Sequence, residues 1–360
     1  MTMNKFFSLK VLQINEETQD SKSIEFEIPE TLLNQFKYKP GQYLTLQFNV
    51  NGEEVRRAYS ICSSPQTVGK LKIGVKRVKG GLVSNYINDK VKVGDTVDVL
   101  PPMGDFTVDV SPDHYKSYYL FAAGSGITPI LSILKTVLEV EVNSYVYMVF
   151  GNKNKNTIMF NEELLQLQKQ YSDRFEIEFT LSKPKSSWKS LFSSKAKDYQ
   201  KGRIDTQYVH QFINSNPPFA QDAQYYICGP EAMILNTKNA LQSIDVPSDR
   251  IHIEFFGTAK KEEGTAGVSN ATLTAYINDE RVEVEVPKAK TILRTLLDNK
   301  HDMPYSCEGG VCGMCKCKLT KGEVKMNSNL ALEEEDIENG YILACQSVPL
   351  TKTLEIHVNE

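Results

Sequence analysis

Long apolar runs are missing from this sequence. The longest candidates, Tyr118–Ala123 and Tyr145–Phe150, fall far short of the roughly 20 residues a membrane helix needs and read instead as buried strands. No membrane partner is expected. The opening stretch MTMNKFFSLKVLQINEET is too polar for a secretory signal, so the expected location is the cytoplasm. Histidine is scarce, with five among 360 residues, which leaves little from which to build a mononuclear iron site on a His-containing triad. A strong charge of either sign is also absent: the net charge is −4, and no basic excess calls for nucleic acid. Tryptophan occurs once, inside a Lys- and Ser-rich stretch, Lys183–Lys201, that reads as an exposed loop or a short surface helix and carries no assigned chemistry.

What is present is length, and a changing rhythm along it. A chain of 360 residues exceeds one ordinary domain and predicts two or three. In the first hundred or so residues, short β-type runs (Ser8–Ile14, Ser23–Ile28, Gln42–Phe48, Leu71–Arg77, Thr96–Leu100) alternate with Pro-Gly, Asn-Gly and Gly-Gly turns. Short strands at that spacing predict a small antiparallel barrel. From Tyr118 onward, YYLFAAG, ILSILKTVLEV, YVYMVFGN, NEELLQLQKQY and FEIEFTL alternate strand and helix, which predicts a parallel sheet with crossover helices. GTAKKEEGTAGVSN (Gly257–Asn270) has the composition of a tether. Beyond it, TLTAYIND and RVEVEVP read as a hairpin, TILRTLLDNK as a helix, and segments near Cys317–Leu319, Ile342–Gln346 and Leu354–Val358 as closing strands. A few strands on one helix make a β-grasp-like α+β module. The expected domains are 1–110, 111–258 and 271–360, with 259–270 as linker.

Seven cysteines in a chain expected inside the cell point to metal ligands, catalytic groups or buried small side chains before disulfides. Five crowd the C-terminus, and four of those read Cys307-x4-Cys312-x2-Cys315…Cys345. That spacing fits the plant-type [2Fe–2S] arrangement: three thiolates on one loop wrap two irons, and a fourth arrives from a distant strand. Gly309, Gly310 and Gly313 let backbone amides approach the sulfurs and allow unusual φ values. Structural zinc is the alternative, but it draws on two close pairs of ligands, and here one CxxC stands with two separate cysteines. Cys317 reads as a packed small hydrophobe. The wording CEGGVCGMCKCKL…LACQ resembles the plant-type ferredoxin cluster loop, which implies a one-electron carrier over residues 271–360.

Two motifs in the barrel region invite an anion and a flat ring. In Arg57-Ala58-Tyr59-Ser60 an Arg can neutralise pyrophosphate, a Tyr can lie on a ring and a Ser can bond its edge. In the stretch from Lys79 to Ile87, Gly80 and Gly81 precede Leu82 and Ser84, where a Ser opening a short helix gives an anion site or an ordinary capped turn. Taken together, RAYSICSSP, GGLVSNYI and PPMGDF resemble the flavin domain of the ferredoxin-NADP reductase family. The resemblance implies FAD, with Arg57 and Ser84 on its pyrophosphate and Tyr59 and Ser60 facing its ring. Ala58, Gly81 and Leu82 belong to the same two motifs. FMN is the alternative.

Ala123-Gly124-Ser125-Gly126-Ile127-Thr128-Pro129 joins a strand to a helix, where free amides and the helix dipole can meet a phosphate. It resembles the same family's nucleotide loop, and Cys228-Gly229-Pro230 resembles its second signature. The resemblance implies that Gly124, Gly126, Ile127 and Thr128 hold the nucleotide and that Cys228, Gly229 and Pro230 border the nicotinamide. Ser60 and Cys228 are then the residues at the reacting atoms, with Cys228 placing the ring and not acting as a covalent nucleophile. Phe256 or Phe255 ends the domain as an aromatic over the flavin, or simply packs. Lys153 and Lys155 follow the second strand, and no acid stands at that strand's end to claim ribose hydroxyls, so NADPH is favoured over NADH.

The order flavin, nucleotide, ferredoxin resembles the reductase components of bacterial oxygenases. It implies a nicotinamide nucleotide as donor and an oxygenase component on another polypeptide as acceptor; a free-standing ferric or quinone reductase is the alternative. From Ala271 onward 15 acidic residues face 10 basic ones. The run Glu333–Glu338 reads either as a solvated helix face or as a surface that steers toward a basic partner.

Overall fold

The computed structural model describes residues 5–184, 199–256, 267–268, 270–278 and 280–358. Most of the Lys/Ser-rich stretch and of the tether lies outside the described residues. The chain divides into two compact units: Phe6–Val55 with Tyr59–Phe256, and Gly257–Glu360, with which Met1–Lys5 and Arg56–Ala58 are grouped.

The larger unit opens with β1 (Phe7–Thr18), β2 (Ser21–Glu27), β3 (Tyr43–Val50), β4 (Glu53–Ser60), β5 (Lys70–Lys76), α1 (Leu82–Lys90) and β6 (Thr96–Val99). The strands form one sheet in the order β4-β3-β6-β1-β2-β5. Its two outermost strands meet again just past β4, where Ile61 bridges Ile73 and the Cys62 amide donates to the Lys72 carbonyl at 2.8 Å. The sheet therefore closes as a barrel, which removes its open edges. Leu9, Ile24, Phe26, Leu44 and Ile73 fill the interior, and Val83 and Ile87 of α1 join the same core.

The second half of this unit runs β7 (Ser117–Ala123), α2 (Ile127–Val140), β8 (Tyr145–Asn152), α3 (Asn161–Gln170), β9 (Phe175–Leu181), β10 (Gln200–Lys201), α4 (Thr206–Ser215), β11 (Ala223–Gly229), α5 (Glu231–Gln242) and β12 (Ile251–Phe255). All pairings are parallel, in the order β10-β9-β8-β7-β11-β12. β7 is apolar on both faces because both are covered. Leu120 and Ala122 pack with α2, and Tyr119 and Phe121 with α4 and α5. Strand order reverses between β7 and β11. The crevice at their carboxyl ends is where open α/β sheets take ligands.

The smaller unit holds β13 (Ala271–Ile277), β14 (Glu280–Val286), α6 (Ile292–Asp298), β15 (Lys316–Lys321), β16 (Val324–Met326), α7 (Glu334–Glu338), β17 (Tyr341–Leu343), β18 (Ser347–Pro349) and β19 (Thr353–Val358). Five strands order as β14-β13-β19-β15-β17, and β16 pairs with β18 alone. The Thr291 side chain caps α6 by accepting from the Arg294 amide at 3.3 Å. Leu293 and Leu296 of that helix pack on Leu273, Leu354 and Ile356 of the sheet, the α+β arrangement expected. One strand is shorter than expected. β17 stops at Leu343, because the Leu343 carbonyl accepts from the Gln346 amide at 2.9 Å and the Ser347 hydroxyl at 2.8 Å. Those two bonds close a turn over residues 344–346, so Cys345 stands on a turn and not on a strand.

Candidate active site and metal centre

β4 delivers Arg57, Ala58, Tyr59 and Ser60 in succession at its end. The Tyr59 ring leans on the barrel core, and Ser60 is buried. An Arg57 Nη donates to the Arg56 carbonyl at 2.6 Å. Helix α1 begins at Leu82, earlier than a Ser84 start would place it, with Gly81 as its N-cap and no side chain capping it. Its first amides are therefore available to an anion. The Ser84 oxygen accepts from the Val78 amide at 3.1 Å, which leaves its hydroxyl proton to donate.

At the switch point two loops meet so closely that glycine is obligatory. A Cβ on Gly126 would lie 2.2 Å from the Cys228 carbonyl oxygen. Gly229 is confined too, by Met233 and Ala123, whereas a Cβ on Gly124 (φ +58°) would meet nothing within 4 Å. The loop is thus closed on one side and open on the other. No side chain caps α2, and Pro230 stands as N-cap of α5. Thr128 is turned back: its hydroxyl donates to the Ser125 carbonyl at 3.0 Å, and Gly74 of the barrel packs over its methyl. It shapes the loop from behind, as buried Ile127 does. Toward the carboxyl ends of β8 and β9, the Asn152 amide and the Thr180 hydroxyl are buried with no protein partner among the described residues. Buried polar atoms are nearly always bonded, so a polar ligand edge at this crevice fits them.

The barrel is clamped to the parallel sheet. Ser132 of α2 donates to the Ser63 carbonyl at 2.7 Å, and the Phe160 amide donates to Glu17 of β1 at 3.3 Å. That clamp brings Ser60 to the closing strand, where its side chain hydrogen-bonds Glu254. Glu254 stands opposite Cys228 in the β11–β12 register. As a residue it is only half-buried on an edge strand, but its Oε2 is enclosed and unpartnered. Burial pushes its carboxyl up to about 8, against the opposing bond from Ser60. Burial, and then the Glu254 charge, push the Cys228 thiol well up. A thiol held in that state orients a neighbour but does not attack it. Phe256 packs against the sheet core.

In the smaller unit the thiols approach in pairs. The free Cys307 thiol shares a hydrogen bond with that of Cys312, and the free Cys315 thiol with that of Cys345. Each iron of a two-iron rhomb takes two thiolates, so two pairs are the donor set that such a cluster requires. Among the described residues no three His, Cys, Asp or Glu side chains converge on one point for a single ion. The bond from Cys312 draws the Cys307 thiol down to about 6, helped by the Val311, Gly309 and Cys312 amides against burial. Gly310 (φ +74°) and Gly313 (φ +71°) adopt the expected left-handed backbone, joined by Glu308 (φ +51°) but not by Gly309. Gly309 serves through its amide, 3.2 Å from the Cys307 sulfur. The Ala344 amide donates to the Cys315 carbonyl at 3.1 Å and ties the distant turn to the loop. Cys317 lies in the core, as expected of a small hydrophobe.

Known proteins share this composite. Residues 8–108 match the oxidoreductase FAD-binding domain family, 120–239 the oxidoreductase NAD-binding domain family, and 275–350 the 2Fe-2S iron-sulfur cluster binding domain family. The chain is 34% identical over 358 residues to one of the subunits of 1,2-phenylacetyl-CoA epoxidase from Escherichia coli (strain K12), covering 98% of each. The chain belongs to the family of FAD- and [2Fe–2S]-dependent oxygenase reductases. It is also 34% identical to the ferredoxin reductase component of 3-ketosteroid-9-alpha-monooxygenase from Rhodococcus rhodochrous, over 97% of this chain and 95% of that one. Among solved structures, phthalate dioxygenase reductase superposes with a TM-score of 0.66 at 25% identity, over 99% of this chain and 98% of that one.

This reductase is an oxidoreductase that uses FAD, a pyridine nucleotide and a [2Fe–2S] cluster. One further residue beside this candidate site lies outside every motif. Glu254 is signalled in HIEFF only by being a lone carboxylate between aromatic and apolar neighbours on a closing strand. No helix among the described residues is long and apolar enough to cross a membrane.

Proposed function

We propose that this reductase takes electrons preferentially from NADPH and passes them to an oxygenase component on another polypeptide. Most of the reading is carried by one observation: Ser60 of the barrel, Cys228 of the switch-point loop and Glu254 of the closing strand meet where the flavin and nucleotide motifs adjoin. Flavin, when bound, converts the two-electron delivery of a nicotinamide into the one-electron steps a [2Fe–2S] cluster accepts. The protein groups position and tune. Arg57 and the uncapped start of α1, with Gly81, Leu82 and Ser84, hold the flavin pyrophosphate; Ala58, Tyr59 and Ser60 line its ring. Gly124 and Gly126 admit the nucleotide to the start of α2, while Ile127 and Thr128 fix that loop from behind. Cys228, Gly229 and Pro230 border the nicotinamide, with Phe256 as the aromatic that closes the domain. Glu254 keeps its proton near neutral pH and holds the Ser60 hydroxyl in place. Cys307, Cys312, Cys315 and Cys345 hold the cluster.

The preference for NADPH rests on Lys153 and Lys155, both exposed just past β8. Lys155 stands 4.1 Å above the Tyr199 ring, which fixes a positive charge just past the carboxyl end of β8. The oxygenase partner is supported by relatives named as reductase components of monooxygenases. We place the domain boundaries near residues 110, 258 and 270 and the protein in the cytoplasm, in keeping with seven free thiols. Anaerobic titration tests the donor: NADPH bleaches the flavin band at lower concentration than NADH, and Lys153→Ala with Lys155→Ala narrows the gap. Equal responses to the two nucleotides in the parent protein would remove the preference.

A further inference from the structure

The residue after the fourth cysteine is a glutamine that the core does not need for packing alone. Gln346 is 5% exposed, and a buried amide is costly unless bonded. Its Nε2 lies 2.9 Å from the Glu308 carbonyl and 3.6 Å from the Cys345 sulfur. Both of those groups are acceptors, so the amino end of the amide faces them, and its two protons serve one each. Glu308 follows the first ligand, and its left-handed φ of +51° belongs to the bend that presents this carbonyl. The backbone of Gln346 is pinned as well: its amide donates to Leu343 and its carbonyl accepts from Asn327, both at 2.9 Å. A Cβ on Gly310 would stand 2.8 Å from the Gln346 side chain, so the ligand loop wraps the amide closely.

We propose that Gln346 is a positioning residue that raises the reduction potential of the [2Fe–2S] cluster by donating to Cys345, while fastening the fourth ligand to the loop that carries the other three. The inference rests on the cluster reading above. A hydrogen bond to a cysteinyl sulfur favours the state with more negative charge, which is the reduced one. The two ends of the ligand set differ in kind. Cys307 receives a backbone amide, that of Gly309, which no side-chain replacement removes. The donor to Cys345 is a side chain, so substitution can delete it.

Two variants of the full chain separate the effects. Gln346→Met removes both donors with little change of volume; Gln346→Glu keeps the shape, loses the donors and adds negative charge. Redox titration of protein with verified iron and sulfide content gives the order parent, then Met, then Glu, from highest to lowest potential. The oxidised-to-reduced ratio at fixed poise shifts by about tenfold for Gln346→Met, equivalent to about 59 mV for one electron. Equal potentials at equal iron and sulfide content overturn the role of Gln346 but leave the cluster reading intact. A parent protein without the visible and EPR signature of a [2Fe–2S] centre overturns both. Pulsed EPR on parent protein with 15N-labelled glutamine side chains covers variants that do not fold: coupling of a Gln nitrogen to the reduced centre supports the proposal, and no coupling overturns it.

Discussion

Glu254 and Cys317 show how burial sets chemistry one residue at a time. The Glu254 carboxyl is held up at about 8 by burial. Below the ordinary carboxylate value the folded and unfolded chains both carry the proton. Between that value and about 8 only the folded chain does, so the unfolded chain gains by ionising and stability falls as pH rises. Gln has no proton to lose. Denaturation of Glu254→Gln across this window therefore shows the parent losing stability relative to the variant as pH rises; parallel curves would contradict the assignment. Cys317 is buried beside the ligands but is not one of them. Cys317→Ser costs about 1–3 kcal/mol, the penalty for an unpaired buried hydroxyl, with iron content unchanged. Cys312→Ser, by contrast, abolishes the cluster absorbance.

Elements decide which glycines matter. Gly126 and Gly124 stand two apart in one loop and face opposite constraints. A Cβ at Gly126 collides with backbone, the Cys228 carbonyl at 2.2 Å, and backbone cannot swing aside. Gly126→Ala is expected to force apart the β7 and β11 loops, so that flavin stays bound while reduction by nucleotide drops more than tenfold, about 1.4 kcal/mol or more of barrier. Gly124→Ala meets open space, and its cost is about 1–2 kcal/mol from the left-handed backbone alone. Stopped-flow flavin reduction alongside thermal melts distinguishes the two. The motifs RAYS, AGSGITP and CGP were legible because each packs its chemistry into adjacent residues, where a strand meets a turn. The bond from Ser60 to Glu254 was not, because it joins residues far apart in the chain. The turn at Cys345 was hidden for a related reason: ILACQSV has the apolar pattern of a strand, and what ends it is the pair of bonds to the Leu343 carbonyl. Thr128 matched its motif, yet its hydroxyl serves the loop itself.

For the whole molecule, the order of modules was legible from changes of rhythm: strand-and-turn, strand-and-helix, then clustered cysteines. The barrel itself was legible in the strand spacing, but the contacts that close it, the Ile61–Ile73 bridge and the bond from the Cys62 amide to the Lys72 carbonyl, were not. The modular order predicts separable activities. A Cys345→Ser chain keeps reduction of its flavin by nucleotide but loses most electron delivery to a one-electron protein acceptor; loss of both activities together would show that the cluster module supports the flavin site. The most direct test of the account is rapid anaerobic mixing of the intact protein with NADPH, following flavin absorbance and the EPR signal of the reduced cluster. The account predicts that flavin bleaches first and the cluster signal then grows at the expense of reduced flavin. A cluster that stays oxidised while the flavin is fully reduced would contradict it.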